Sequence, residues 1–407
     1  MSGQDLASNQ LRTIADVPVR FVAFGRAGDL LDIVGRREFL HAGPPIRPAQ
    51  TVGPMRGALI GALLLEGEAA SVDEAEQLIA NNAIEIRPCH DVGGVGALAG
   101  VVSPSTPVVV VEREGGLRAF GAMVEGLGRA LAFGNFDDET IDRVRWLAGE
   151  FSDVLNDAVK LIRPFDIVDL QAKALRRGDE CHNRLVAATE SLVATLAPAF
   201  VQLGPTSLPT LDALRGNPHF FLSLSIAASK AVALAIEAEG PTGIVTAQSG
   251  NGVQAGIKVS GAPGQWYVAP APAPRRMMLV EGRTADDAAP LMGDSGVTET
   301  IGLGAMSLTA SLSLARALGV DAAGAAEVVA QMRGICVTDH PRYLLPADDF
   351  RGAPLGIAVE RVAETGIAPA VNAGYADRVP GRGRVGADLA RFPLALYEQA
   401  ASDLSCR

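Results

Sequence analysis

Cysteine is scarce in this chain: four among 407 residues (Cys89, Cys181, Cys336, Cys406), widely spaced and forming no C-x-x-C unit. That pattern argues against a disulfide framework and against a standard zinc ribbon. Positive charge is short too, with 35 Lys and Arg against 46 Asp and Glu and a net charge of −11. No basic stripe exists to track a phosphate backbone, so nucleic acid is not an expected partner. Small anions stay open as substrates, because a local arginine cluster can oppose the global field. The start, MSGQDLASNQLRTIADV, has no basic segment followed by an apolar run, so no signal peptide is expected. Apolar stretches such as LVATLAPAFVQL fall short of the roughly 20 residues that cross a bilayer, so no membrane span is expected. A reducing, cytoplasmic location follows. Aromatics are few, at 5%, whereas glycine is abundant, at 45 residues. Closely packed helices with many tight backbone approaches are the expected result.

The pattern of apolar residues divides the chain into an N-terminal α/β domain (1–130), a helical subdomain (131–205) and a C-terminal α+β domain (206–407). The fold class is α+β, two α/β domains around a small all-helical one. VRFVAFG (19–25), AIEI (83–86) and PVVVVE (107–112) read as buried strands. GALIGALLLEG (57–67) and VDEAEQLIANN (72–82) read as helices. A helix capped by Asp137 or Asp138 is expected to run to Pro164, and DLQAKALRRG to end at Gly178. A further helix is expected from Asp179 through Phe200. Residues 219–239 are apolar nearly all round and predict a buried helix. Asn251-Gly252 between two strand-like runs is a strong hairpin signal, which QWYVAPA and RMMLVEG extend. VTETIGLGAMSLTASLSLARALG and AAGAAEVVAQMRG read as long small-residue helices, and DHPRYLLPADDFRG (339–352) as irregular backbone.

Residues 87–96, RPCHDVGGVG, set a thiol, an imidazole and a carboxylate side by side before a glycine run. A dinucleotide loop needs a strand feeding directly into the glycines and a helix leaving them. Pro88 interrupts the first, and Pro104 and Pro107 leave no room for the second. Neighbouring Cys89 and His90 point to opposite faces of an extended chain, so they make a poor nucleophile–base pair. His90 and Asp91 then project into a cleft, or else His90 merely satisfies backbone groups in a bend. In DECHNR (179–184), Asp179 suits an N-cap, which places His182 and Arg184 at a helix N-terminus that attracts anions. An ordinary cap with a solvated arginine is the plainer alternative. Zinc bound by Cys89, His90, Cys181 and His182 is disfavoured, since adjacent Cys-His pairs converge poorly. Lys230 is the only basic residue of its apolar helix and needs a partner, a site, or a route to the helix edge. Asp294 and Ser295 open a glycine-bounded loop, and Arg342, Arg351, Arg382 and Arg384 sit on expected loops.

Taken together, several stretches carry a family resemblance. They include LHAGPPIRPAQTVGPMRGALIGA (40–62), RPCHDVGGVGALAGVVSPSTPVVVVE (87–112), GDECHNR (178–184), FFLSLSIAASKA (220–231), NGVQAGIKVSG (251–261), GDSGVTETIGLG (293–304) and the segment 349–387. The chain resembles the bacterial family associated with the large subunit of oxamate carbamoyltransferase, over nearly its whole length. The resemblance implies work with an acyl-CoA-synthetase-like subunit and a third subunit, in a homo- or hetero-oligomer. It implies interconversion of carbamoyl phosphate and oxamate with oxalurate and phosphate, in allantoin or purine breakdown. Two departures bear on the acceptor: Gly250 stands where the family's usual pattern has Arg, and Asp377-Arg378 where it has Lys-Glu.

Carbamoyl transfer needs positioning and stabilisation of negative charge, and no metal, flavin or nucleotide cofactor. The residues expected to carry it are His90, Asp179 and His182 as catalytic groups, with Asp179 orienting His182. Arg87, Asp91, Arg184, Lys230, Asn251, Asp294, Ser295 and Glu299 are expected to bind substrate. On this reading His90, His182 and Arg184 share one anion pocket at the amino end of a helix. A scaffold completing a partner's site, or a cyclic-amide hydrolase using Cys89 as nucleophile, are the competing readings.

Overall fold

The computed structural model describes residues 3–32, 35, 37–275 and 277–407. Its fold is of the mixed α+β class, with several small sheets wrapped around helices. Near the N-terminus, Val19–Arg26, Pro107–Arg113 and Leu117–Ala122 form an antiparallel sheet, and the short strand Gly94–Val95 joins its far edge in parallel. Glu38–His41 pairs in parallel with Glu85–Pro88, which sets His41 opposite Pro88 and therefore next to Cys89 and His90. The expected hairpin is present: Val245–Asn251 and Gln254–Val259 pair antiparallel across Gly252-Val253, flanked by Met292–Gly293 and Tyr267–Pro270. Of the expected strand RMMLVEG, Arg276 lies outside the described residues, and Met278–Leu279 extends a different sheet, beside Arg384–Arg391 and Ala370–Ala376.

Helix Phe221–Glu239 runs through the centre, buried on every side as far as Ile236 except at Leu234, as its unbroken apolar sequence requires. One hydrophobic cluster threads all three sequence segments, uniting Phe24 and Val109, Leu192 and Phe200, and Leu224 with Tyr343. The apolar stretch LVATLAPAFVQL belongs to an 18-residue helix, Val186–Leu203. That helix and Phe221–Glu239 both reach the length and apolarity of a membrane span, contrary to the shorter lengths expected from sequence. Phe221–Glu239 spends that apolarity on the protein core.

Three local expectations are corrected. The helix expected from Asp179 begins at Val186, because Cys181 adopts a left-handed backbone (φ +62°) that no helix tolerates. The long helix expected from Val297 is broken into Val297–Thr300, a 3-10 stretch Gly304–Ala310 and Leu312–Ala317. Gly302 and Gly304, both with positive φ, make the break. DHPRYLLPADDFRG is not irregular but the greater part of a hairpin, Cys336–Leu345 with Arg351–Ile357, turning through left-handed Asp349 and Phe350.

Candidate functional site

The loop 178–185 is held by its own carboxylates. Glu180 accepts hydrogen bonds from the backbone N–H groups of His182, Asn183 and Arg184 at 3.0, 2.6 and 2.7 Å, folding the segment into a tight bend. Asp179 caps helix Val186–Leu203 from outside, accepting from Ala188 N at 2.8 Å, and pairs with Arg184. The helix N-terminus expected to hold an anion is thus filled by the chain's own acid.

His182 is oriented by Glu299 and not by Asp179. Its Nδ1 donates to Glu299 Oε1 at 2.8 Å, and both side chains are buried. Glu299 also accepts from Asn372 N at 3.0 Å, Ala305 N at 3.2 Å and Thr298 Oγ1 at 2.9 Å. The close approach needs glycine at 304, where a Cβ would lie 2.0 Å from Glu299 Oε1. Burial pulls the His182 imidazole toward the neutral form, but the charge and hydrogen bond of Glu299, helped by Glu180, win and leave its pKa raised.

A cavity of about 910 Å³, counting its open mouth, is lined in part by His182. His182, Asn183, His219, Ser295, Tyr375 and Arg384 supply polar groups to its lining, which also includes Leu98, Val101, Met123, Leu127, Phe133 and Leu222. Such a chamber, mostly apolar with a few convergent polar groups, is the usual form of a small-molecule site. Nε2 of His182 makes no hydrogen bond within the described chain. Arg384 donates Nη2 to Asn183 Oδ1 at 2.9 Å, and the buried Tyr375 hydroxyl has no partner. Glu125, at the wall, accepts from Leu131 N and Ala132 N, and burial raises its pKa to about 7. His219 is held neutral, its pKa lowered to about 4 mainly by burial.

His90 does not reach this cavity. It lies in a second, enclosed polar cluster with Lys230 and Asp294, both fully buried. Asp294 accepts from Gly43 N and Gly96 N, each at 2.9 Å, and from the Ser249 hydroxyl, so it staples three loops together. Asp91 is bound by Lys258 Nζ at 2.8 Å and Trp266 Nε1 at 2.9 Å. Asn251 closes the hairpin turn, accepting from Val253 N and Gln254 N and donating to Pro44 O. Arg87 pairs with Glu38 on the neighbouring strand. Of the residues expected to share one pocket, then, His182 and Ser295 line the cavity, and Glu299 stands directly behind His182. Asp179 and Arg184 build the loop beneath them, His90, Asp91, Lys230 and Asp294 gather elsewhere, and Arg87 and Asn251 hold backbone in place.

Asn183, Glu180, His219, Glu125 and Tyr375 were not marked out by sequence, and Arg384 only as a loop arginine. Asn183 and Glu180 lie in the motif DECHNR, Tyr375 and Arg384 in the stretch 349–387, and His219 and Glu125 in neither. Among the described residues no group of three or more His, Cys, Asp or Glu side chains is arranged to hold a metal ion.

The family model described as oxamate carbamoyltransferase subunit AllG matches residues 84–295, a span that includes His90, His182 and Ser295. The protein of that name from Escherichia coli K12 is 36% identical over 375 residues, covering 91% of this chain and 89% of its own length. The chain belongs to the AllG family. A second Escherichia coli K12 relative in this range, the uncharacterized protein YahG, is 34% identical and covers 96% of the chain and 83% of itself. Among solved structures, a conserved protein of unknown function from Enterococcus faecalis V583 superposes with a TM-score of 0.94 at 33% identity, over 99% of this chain and 97% of that one. The fold is therefore shared with that protein over essentially the full length.

Proposed function

We propose that this AllG-family chain is a catalytic subunit of a cytoplasmic carbamoyltransferase complex. In this reading it interconverts carbamoyl phosphate and oxamate, or a related amide or amine acceptor, with the carbamoylated product and phosphate, in allantoin and purine nitrogen catabolism. It works with an acyl-CoA-synthetase-like subunit and a third subunit. The observation that carries the reading is the Glu299–His182 pair, with its free Nε2 against a cavity that also presents Arg384 and Asn183.

The acceptor nitrogen attacks the carbamoyl carbon, an oxyanion develops there, and phosphate departs. A raised, Glu299-backed imidazolium at His182 gives its Nε2 proton to the departing phosphate, and the neutral ring that results takes the proton lost by the attacking nitrogen, which restores the imidazolium. Arg384 and Asn183 would hold the anionic ends of the reactants, and Ser295 lies beside them. The apolar remainder of the cavity excludes water, which would otherwise hydrolyse the carbamoyl donor.

The experiment is His182→Asn in the reconstituted complex. Turnover should fall by ~10²-fold or more with assembly intact, the usual worth of a general acid–base group. Wild-type turnover would leave the chain as a scaffold for a partner's site. The hydrolase reading finds no support at Cys89, whose thiol is buried, donates to Gly100 O at 3.4 Å, and is pushed well above the ordinary thiol range by burial.

A further inference from the structure

The second polar cluster is built as a site, yet the reaction just described does not use it. Four of its side-chain nitrogens are buried without a hydrogen-bond partner: Nε2 of His41, both ring nitrogens of His90, and Nζ of Lys230. Buried polar groups are nearly always paired, so four orphans in one neighbourhood call for something to complete them. The residues come from three separate elements, the strand Glu38–His41, the turn Cys89–Val92 and the central helix. Parallel pairing of the strand with Glu85–Pro88 draws the first two together, and Lys230 acts electrostatically on His90.

The orphan groups ask for a particular chemistry. Lys230 offers three donors and a positive charge, and no carboxylate among the described residues pairs with it. Its acidic neighbours are Glu237, which accepts from the Thr246 hydroxyl at 3.3 Å, Asp91, bound by Lys258 and Trp266, and Asp294, bound by Gly43, Gly96 and Ser249. His41 gives its Nδ1 hydrogen to Ala42 O at 2.8 Å, which leaves Nε2 as an acceptor. His90 is neutral in this setting, so it presents one donor and one acceptor. A water could answer a histidine, but it brings no charge to the ammonium group. The occupant must therefore accept strongly from a cation and also donate to an imidazole. Trp266, half-buried, stands edge-on to the His90 ring, with the exposed Asp91 beside it.

The geometry points to a second ligand site at His41, His90 and Lys230 for a one-carbon oxyanion that also donates a hydrogen bond, such as bicarbonate. Its oxygens take hydrogen bonds from Lys230 and His90, and its hydroxyl donates to an imidazole nitrogen of His41 or His90. This assignment does not rest on carbamoyl transfer, since it concerns binding by the isolated full-length chain.

The test is titration of ¹³C-bicarbonate with the full-length chain, followed by carbon NMR line broadening. The wild-type chain should broaden the signal saturably. Lys230→Met and His90→Phe should weaken binding about tenfold or more, the worth of a hydrogen bond to a charged group. His182→Ala, in the open cavity, should leave it unchanged. Should Lys230→Met fail to fold, His41→Gln carries the same expectation. Absence of binding by the wild-type chain overturns the proposal. So does binding that is lost in His182→Ala and kept in the Lys230 or His90 variants, because the anion would then occupy the open cavity.

Discussion

His182 donates its Nδ1 hydrogen to Glu299 Oε1 at 2.8 Å, with at most 2% of either side chain exposed. Replacing the charge and keeping the shape should show what that contact does. In Glu299→Gln the imidazole loses its negative neighbour, so its pKa falls below the wild-type value. Imidazole NMR should record that fall. In the reconstituted complex the alkaline limb of the pH–rate profile should move the same way. An unmoved His182 titration would mean that Glu299 serves only as a bracket for the loop.

Gly304→Ala tests the same pair from behind. Its Cβ would enter the Glu299 carboxylate at a residue with φ +59°, so Glu299 must shift. Turnover should drop toward that of the His182 variant, with about 1–2 kcal/mol lost in chemical denaturation from the left-handed backbone alone. Unchanged turnover would show that the pair tolerates displacement.

The five histidines should separate into two classes. His182 is raised, whereas burial lowers His41 and His219 to about 4 and holds His90 and His340 well below the usual range. Slightly below pH ~6.5, the ordinary histidine value, NMR should find one imidazolium and four neutral rings. The four lowered rings make the unfolded chain bind more protons below about 6.5, so their contribution is lost as pH falls, that of His41 and His219 through about 4. His182 has the opposite sign: its contribution is complete below about 6.5 and is lost as pH rises through its raised value.

Buried carboxylates act on the alkaline side. Burial raises Glu180 to about 7, against the lowering pull of nearby His182. A carboxyl raised in the native state stabilises fully below its unfolded value near 4.3 and loses that contribution as pH rises through about 7. Urea melts of Glu180→Gln across that window should show a shallower fall of stability with pH than the wild-type chain. Equal slopes would remove Glu180 from the account.

Thiol accessibility offers a simple check on the packing. Cys89, Cys181 and Cys336 are buried and Cys406 is exposed. Ellman's reagent should titrate a single fast thiol in the native chain, absent in Cys406→Ser. Rapid reaction at Cys89 would reopen the nucleophile reading.

Much of the secondary structure was legible because periodicity records local burial. Val19–Arg26, Pro107–Arg113 and Phe221–Glu239 appear where their patterns place them, whereas the single helix expected from Asp137 or Asp138 to Pro164 is Asp138–Trp146 and Ser152–Lys160, joined by a π-helical stretch Leu147–Phe151 kinked at Gly149. The misses share a cause. Asp179 looks like the cap of the segment that follows it, yet its carboxylate caps a helix starting seven residues later, a choice made by Glu180 bending the loop between. Of the candidate site, His182, Glu299 and Ser295 were marked out in advance, but the partnership of His182 with Glu299 spans 117 positions and leaves no trace in spacing. Glu125 lies outside every stretch singled out from the sequence, and Tyr375 lies in one, 349–387, without being marked.

Asp294 and Ser295 are consecutive, yet the first belongs to the closed cluster beside His90 and the second to the wall of the open cavity. One peptide unit therefore joins the buried cluster to the cavity wall, and a displacement of it would be felt on both sides.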